Sequence, residues 1–257
     1  MLYLLFALLD RWYAPAPLGA RVNWLKGRVF AHRGMHSTGV VENSIAAFTE
    51  AIVNNFGIEC DVQRSSDGQA IVFHDWDMAR LTGQTGLLID HSAAQLGKIG
   101  LVDGDDTIPS LRQVLDLIGG HVPLLIEIKS RPDLHIVPLC LAVRRVLEGY
   151  PGQVAVMSFD PRVSRWFARH SPHTVRGLVM TEGAKRTLFA RTRRHYTLWQ
   201  ARPEFLAYDV RDLPSRFAGG LRRRGLPLLT WTVNSPEMAV RAAAQADSAI
   251  AEGQGLE

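Results

Sequence analysis

Glu59 and Asp61 stand two residues apart, and Glu127 and Lys129 repeat the spacing. In a strand, residues i and i+2 point to the same face, so each pair presents two charged groups together. Two neighbouring carboxylates repel one another unless a cation lies between them; the alternative is a solvated strand end. Glu127 and Lys129 sit in the apolar run Leu124-Leu125-Ile126-Glu127-Ile128-Lys129, where charges are costly unless paired or functional. A buried ion pair is the alternative there. Together Glu59, Asp61 and Glu127 form an oxygen-rich set that suits one divalent cation, Mg2+ or Ca2+, rather than zinc on thiolates. His32 closes one apolar run and precedes Arg33-Gly34; His74 closes Ile71-Val72-Phe73 and precedes Asp75. A single such histidine is more often a structural hydrogen-bonder. Two of them beside three carboxylates, Arg33 and Lys129 make an acid–base pair next to a metal. Phosphodiester cleavage needs that set: the cation and cationic side chains neutralise phosphate, one histidine activates the nucleophile, and the other protonates the leaving alkoxide.

The elements that must position these groups alternate along the chain. Apolar runs predict strands at Arg28–His32, Gly57–Val62, Ala70–His74, Val122–Ile128, Val154–Phe159, Val175–Val179, Phe205–Val210, Pro227–Val233 and Ser248–Ala251. Helical periodicity lies between most of them. In Ser44–Asn55, Ile45, Phe48, Ala51 and Ile52 share one face; Leu111–Ile118 is introduced by Pro109 and Ser110. This alternation implies a parallel sheet covered by helices. One junction departs from it. The segment from Val62 to Phe73 is too short for a parallel crossover and contains the turn pair Asp67-Gly68. A hairpin there would place His74 roughly opposite Asp61. Setting that strand aside leaves eight, the number in a (β/α)8 TIM barrel, which takes about 250 residues. The expected fold is therefore an α/β barrel over residues 28–257, with an irregular hairpin join around 62–74. The segment 75–107 has weak periodicity and reads as a small insertion capping the mouth.

Composition narrows the class. The chain has 257 residues, 47% hydrophobic and 21% charged, which excludes disordered and collagen-like proteins. Cys60 and Cys140 are the only cysteines, so there is no disulfide framework or cysteine-rich zinc site, and a reducing compartment suits them. Strand alternation turns Cys60 away from Glu59 and Asp61, toward a helix. The net charge is +4, with arginine clusters at Arg191, Arg193 and Arg194 and at Arg222–Arg224. They read as solvated helix surface or as a surface attracted to anionic lipid. No aromatic-interleaved basic stretch is present, so nucleic acid is not an expected partner. The apolar run Met1–Leu9 is shorter than the about 20 residues that span a bilayer. No positive residue precedes it, as a secretory signal would require. Residues 1–27 are expected to be an apolar extension packed on the body, with weak peripheral membrane contact as the alternative and the cytoplasm as location. Oligomeric state is not written in the sequence.

At these residues the chain resembles the glycerophosphodiester phosphodiesterase family, whose barrels are phospholipase C-like. The resemblance rests on Ala31-His32-Arg33-Gly34, Glu42-Asn43-Ser44, Glu59-Cys60-Asp61-Val62, Asp67-Gly68 and Val72-Phe73-His74-Asp75. It continues through Ile108-Pro109-Ser110-Leu111, Glu127-Ile128-Lys129, Ser158-Phe159-Asp160 and Trp231-Thr232-Val233-Asn234. The ordered combination runs from about residue 28 to 234. It implies a TIM barrel with its site at the C-terminal mouth, His32 and His74 as the acid–base pair, and metal ligation by Glu59, Asp61 and Glu127. It implies phosphate contact from Arg33 and Lys129, a small-molecule glycerophosphodiester substrate, and glycerol 3-phosphate plus an alcohol as products. Glu42 would orient His32 or join the metal shell. Of the two histidines, His32 is expected to take the nucleophile's proton and His74 to protonate the leaving group.

The chain departs from the family pattern twice. Val41 replaces a proline, and Glu252 stands where an aspartate follows the last strand; the second bears on the closing edge of the barrel rather than on the catalytic set. Phe159 and Trp231 are either core or an apolar wall of the pocket, and Trp76 shares the ambiguity. His36 lies close enough to His32 to line the site. His91, His121, His135, His170, His173 and His195 are expected on the surface or in loops. Other functional readings are lysophospholipase D-like cleavage of lysophospholipids through a cyclic phosphate, and an inactive phosphodiester-binding barrel. The latter calls for the loss of a histidine or carboxylate, and none is lost.

Overall fold

The computed structural model describes residues 2–131, 133–183 and 187–256, with the backbone alone for 2–5. Among these residues nine strands form one sheet: β1 (Val29–Ala31), β2 (Gly57–Arg64), β3 (Ala70–Val72), β4 (Leu124–Ile128), β5 (Val154–Met157), β6 (Val175–Met180), β7 (Phe205–Asp209), β8 (Leu228–Val233) and β9 (Ser248–Ala251). Their order is β1-β9-β8-β7-β6-β5-β4-β2-β3, and β1 also pairs with β2, which closes the barrel. The eight strands other than β3 pair in parallel. This is the (β/α)8 barrel expected from the alternation of strands and helices.

Strand alternation divides the apolar residues between two layers. Leu125, Ala155, Met157, Ala207, Leu229 and Ile250 pack inside the barrel with Phe30 and Phe205, and Val22 and Leu25 join them. Ile58, Cys60, Val62, Leu124, Ile126 and Ile128 face outward, onto Phe48, Leu115, Cys140 and Val143 of the covering helices. Gly57 makes room for Phe30, because a Cβ there would meet its ring at 2.5 Å. Helix starts are fixed locally. Ser44 caps Ile45–Val53 by accepting from Ala47 N, and Ser110 with Gln113 forms a reciprocal cap on Leu111–Ile118.

The irregular join is a hairpin: β3 runs antiparallel to β2 in the register Val62↔Val72, Gln63↔Ile71, Arg64↔Ala70. The ladder ends earlier than the apolar run suggests. Phe73, not His74, lies across from Asp61, its N–H donating to the Asp61 carbonyl at 3.0 Å. Beyond it the carbonyls of Phe73, His74 and Asp75 turn to Gln63 Nε2, at 3.0, 3.1 and 2.6 Å. The following segment folds into short helical turns with an apolar cluster of its own, which includes Met78, Leu81, Leu88, Leu96 and Ile108.

The N-terminal helix Leu2–Tyr13 lies along the helix Leu188–Ala201. Phe6 stacks on His195 with ring centroids 4.4 Å apart, and Tyr13 packs against Trp199. His195 therefore sits in a packed interface rather than in a loop. Among the described residues, no helix is long and apolar enough to cross a membrane.

Candidate active site

The C-terminal ends of β1, β2 and β4 and the loop after β3 bring the charged residues together. Along β2, Glu59, Asp61 and Gln63 point to one face. The parallel register sets Asp61 beside Glu127 of β4. Glu59, Asp61 and Glu127 each offer an oxygen within 4.8 Å of the others. Glu59 and Asp61 are each only 2% exposed.

Burial and the neighbouring Asp61 and Glu127 push the Glu59 carboxyl well above its ordinary range. Burial likewise raises Glu127 to about 7 against the pull of Lys129. Burial would raise Asp61 as well, but Lys129 and Arg33 outweigh it and hold the carboxyl below its usual value. Lys129 Nζ donates to Asp61 Oδ1 at 3.3 Å and Glu127 Oε1 at 3.2 Å. Once all three carboxyls are ionised, as ligands to a cation must be, they outnumber the two cations Lys129 and Arg33 by one charge. An all-oxygen donor set with surplus negative charge fits a hard divalent cation.

A tight turn follows β1. Arg33 has φ +57° and Gly34 φ +81°, and a Cβ on Gly34 would strike the Ala47 backbone at 2.8 Å. The turn aims the Arg33 N–H at Glu59 Oε2, 3.1 Å away. The Arg33 guanidinium donates to Glu42 Oε1 at 2.7 Å, and its Nε lies 3.2 Å from Asp61 Oδ2. The sequence offered two positions for Glu42, against His32 or in the metal shell. In the structure it lies on Arg33 and is also gripped by Arg80 at 2.8 and 3.0 Å.

Each histidine has a carboxylate on Nδ1. His32 Nδ1 donates to Glu252 Oε2 at 2.6 Å, and its Nε2 is 4.0 Å from Glu59 Oε2. His74 Nδ1 donates to Asp75 Oδ1 at 2.6 Å. A carboxylate on Nδ1 sets the tautomer and leaves Nε2 to face the site. Asp75 is held in turn by Arg80, which thereby links Glu42 to the His74 pair. Burial lowers the proton affinity of His74, and the nearby Lys129 and Arg33 lower it further while Asp61 opposes them.

Glu252 corrects the sequence reading. Its place after the last strand points to the closing edge of the barrel rather than to the catalytic set. It does follow β9, but β9 pairs with β1, so the residue after β9 meets the residue after β1. His36 approaches the same carboxylate at 3.6 Å. Asn43, whose role the sequence does not show, embraces Asp61: Asn43 Nδ2 donates to Asp61 Oδ2 at 3.1 Å, and the Asp61 N–H donates to Asn43 Oδ1 at 3.2 Å. Gln63 has a sequence signal, its place two residues after Asp61; Asp75 adjoins His74; Arg80 has none. Phe159 and Trp231 meet edge to face at 5.3 Å. Trp231 is anchored inward by its Nε1–H to the Ala207 carbonyl at 3.0 Å, while Phe159 is 47% exposed. Trp76 borders a cavity of about 190 Å³ with Gln63 and Lys129.

The Glycerophosphoryl diester phosphodiesterase family matches residues 32–252, from the first histidine to the carboxylate that holds it. The chain belongs to this family. A glycerophosphodiester phosphodiesterase of Caldanaerobacter subterraneus subsp. tengcongensis is 30% identical over 226 residues, covering 83% of this chain and 88% of the relative. Among solved structures, an Oleispira antarctica phosphodiesterase in complex with the product sn-glycerol-3-phosphate superposes with a TM-score of 0.78. It is 21% identical and covers 90% of this chain and 94% of that one. The Thermotoga maritima glycerophosphodiester phosphodiesterase superposes with a TM-score of 0.70 at 26% identity, covering 87% and 93%. As a glycerophosphodiester phosphodiesterase, the chain is an enzyme of the phosphodiester hydrolase class with a small-molecule glycerophosphodiester as substrate.

Proposed function

We propose that the enzyme hydrolyses glycerophosphodiesters to glycerol 3-phosphate and an alcohol, with His32 and His74 as its acid–base pair and one Mg2+ or Ca2+ on Glu59, Asp61 and Glu127. The observation that carries this reading is the paired arrangement: two histidines, each with a carboxylate on Nδ1, at the rim of one buried carboxylate cluster. The bound cation supplies Lewis-acid neutralisation of the phosphate oxygens. Arg33 and Lys129, both within reach of Asp61, add positive charge toward the same phosphate. In-line displacement at phosphorus needs proton carriers on opposite sides, and the two histidines come from different strand ends. His32 Nε2 takes a proton from the attacking water, or from the substrate's own glycerol hydroxyl, in which case water then opens the cyclic phosphate. His74 Nε2 gives one to the departing alkoxide. A phosphodiester anion in the site offsets Lys129 and Arg33, which restores proton affinity to His74.

The exposed Phe159 ring against Trp231 favours a second reading, in which a lysophospholipid is cleaved through a cyclic phosphate. Glycerophosphocholine, glycerophosphoethanolamine and lysophospholipids, each assayed with Mg2+, with Ca2+ and after chelation, test both. The proposal expects release of glycerol 3-phosphate that chelation abolishes and one of the two cations restores. Turnover unaffected by chelation would overturn the metal assignment, and cyclic phosphate from lysolipids alone would favour the second reading.

A further inference from the structure

A cavity of about 730 Å³ opens between the N-terminal helix, the Leu188–Ala201 helix and the Arg216–Arg223 helix. These last two helices follow β6 and β7, whereas the acidic cluster lies on β2 and β4, so this cavity is separate from the candidate active site.

The acids that line it are already engaged. Asp10, 3% exposed, accepts from His195 Nδ1 and Trp199 Nε1, both at 2.8 Å, and from Arg224 Nη2 at 3.2 Å. Glu182 accepts from the Tyr208 hydroxyl at 2.8 Å and the Ser215 hydroxyl at 2.6 Å. Asp212 accepts from the Thr181 hydroxyl at 2.9 Å. Of the arginines that line it, Arg224 is taken up by Asp10 and the Ala7 carbonyl, but the other four are not engaged in the same way. Arg194 has a side chain only 12% exposed and one ion pair, to Glu182 at 3.4 Å. Its buried Nε and Nη1 have no hydrogen-bond partner among the described residues. Arg191, Arg216 and Arg223 line the cavity from exposed positions.

Buried polar groups are nearly always satisfied by protein, water or ligand, and guanidinium groups bind phosphate oxygens with strong charge-assisted hydrogen bonds. We propose that this cavity is a binding site for a phosphate-bearing anion. Arg194 donates to it from its idle N–H groups, and Arg191, Arg216 and Arg223 neutralise its charge. The network on Asp10 holds the N-terminal helix in place as one wall. The phosphate belongs either to a soluble phosphate compound or to the headgroup of an anionic phospholipid.

The test titrates the full chain with inorganic phosphate and, separately, with phosphatidylcholine vesicles with and without phosphatidic acid. Calorimetry reads the first and co-sedimentation the second. The variants are Arg194→Gln and the exposed double variant Arg191→Gln/Arg216→Gln, which keeps the test open should the first fold poorly. Arg33→Gln is the active-site control. We expect binding retained in Arg33→Gln and weakened by about tenfold or more in both cavity variants, with their kcat on glycerophosphocholine unchanged. Binding of inorganic phosphate identifies a soluble source. Binding only to vesicles that carry phosphatidic acid, lost in the same variants, identifies a lipid headgroup. If neither probe binds the unaltered chain, or binding survives in both cavity variants, the proposal is overturned.

Discussion

His32 Nδ1 lies 2.6 Å from Glu252 Oε2, so the last strand of the barrel supplies the partner of a histidine that follows the first. The carboxylate fixes the imidazole's tautomer and orientation without reaching the reacting atoms. Glu252→Ala should therefore lower kcat by about 10–100-fold, the range for losing such a supporting partner, while KM changes little. Steady-state kinetics on glycerophosphocholine checks this. An unchanged kcat would show that His32 is positioned without Glu252.

Metal binding should be coupled to protons. Burial pushes Glu59 above its ordinary range and Glu127 up to about 7 in the metal-free protein, and a ligand carboxyl must be deprotonated to hold a cation. Below neutral pH the cation must displace protons, so its apparent affinity rises with pH and levels off only once both carboxyls are ionised. Calorimetry in two buffers of different ionisation enthalpy should find proton release at mildly acidic pH. An affinity flat across the acidic range would contradict this.

The chain advertised its architecture through repetition. Eight apolar runs separated by helical segments leave few alternatives, and Asp67-Gly68 marked the one place where a crossover could not fit. The spacing of Glu59 with Asp61 and of Glu127 with Lys129 already put these groups on shared strand faces. What could not be read was the layer that joins distant segments. Glu252 meets His32 only because the barrel closes, a contact across 220 positions. Arg80 reaches Glu42 and Asp75 from a segment whose short turns carry little periodicity. Asn43 holds Asp61 through a left-handed backbone conformation, φ +58°, that its residue type permits but does not announce.

Asp75 should contribute stability at neutral pH that is lost in acid. Burial would raise its carboxyl, but hydrogen bonds from Arg80 and His74 outweigh that and hold it down to about 2, below its ordinary 3.8. A depressed folded-state value gives stability that is present above the unfolded value and lost as pH falls through the folded one. The difference in melting temperature between the unaltered chain and Asp75→Asn should thus be full at neutral pH and shrink as pH falls from 3.8 toward 2. A difference independent of pH would mean that Asp75 titrates alike in both states.

The central claim is that His32 and His74 carry protons on opposite sides of one phosphate. Each alanine variant should lose on the order of 10²–10⁴-fold in kcat on glycerophosphocholine, the usual worth of a general acid or base. The decisive measurement is the ratio of turnover on a nitrophenyl phosphodiester to turnover on glycerophosphocholine, taken for both variants. Nitrophenolate leaves without a proton, so His74→Ala should recover most of its lost rate on that substrate and His32→Ala should not. Equal loss on both substrates in both variants, or near-normal turnover on glycerophosphocholine, would contradict the acid–base assignment.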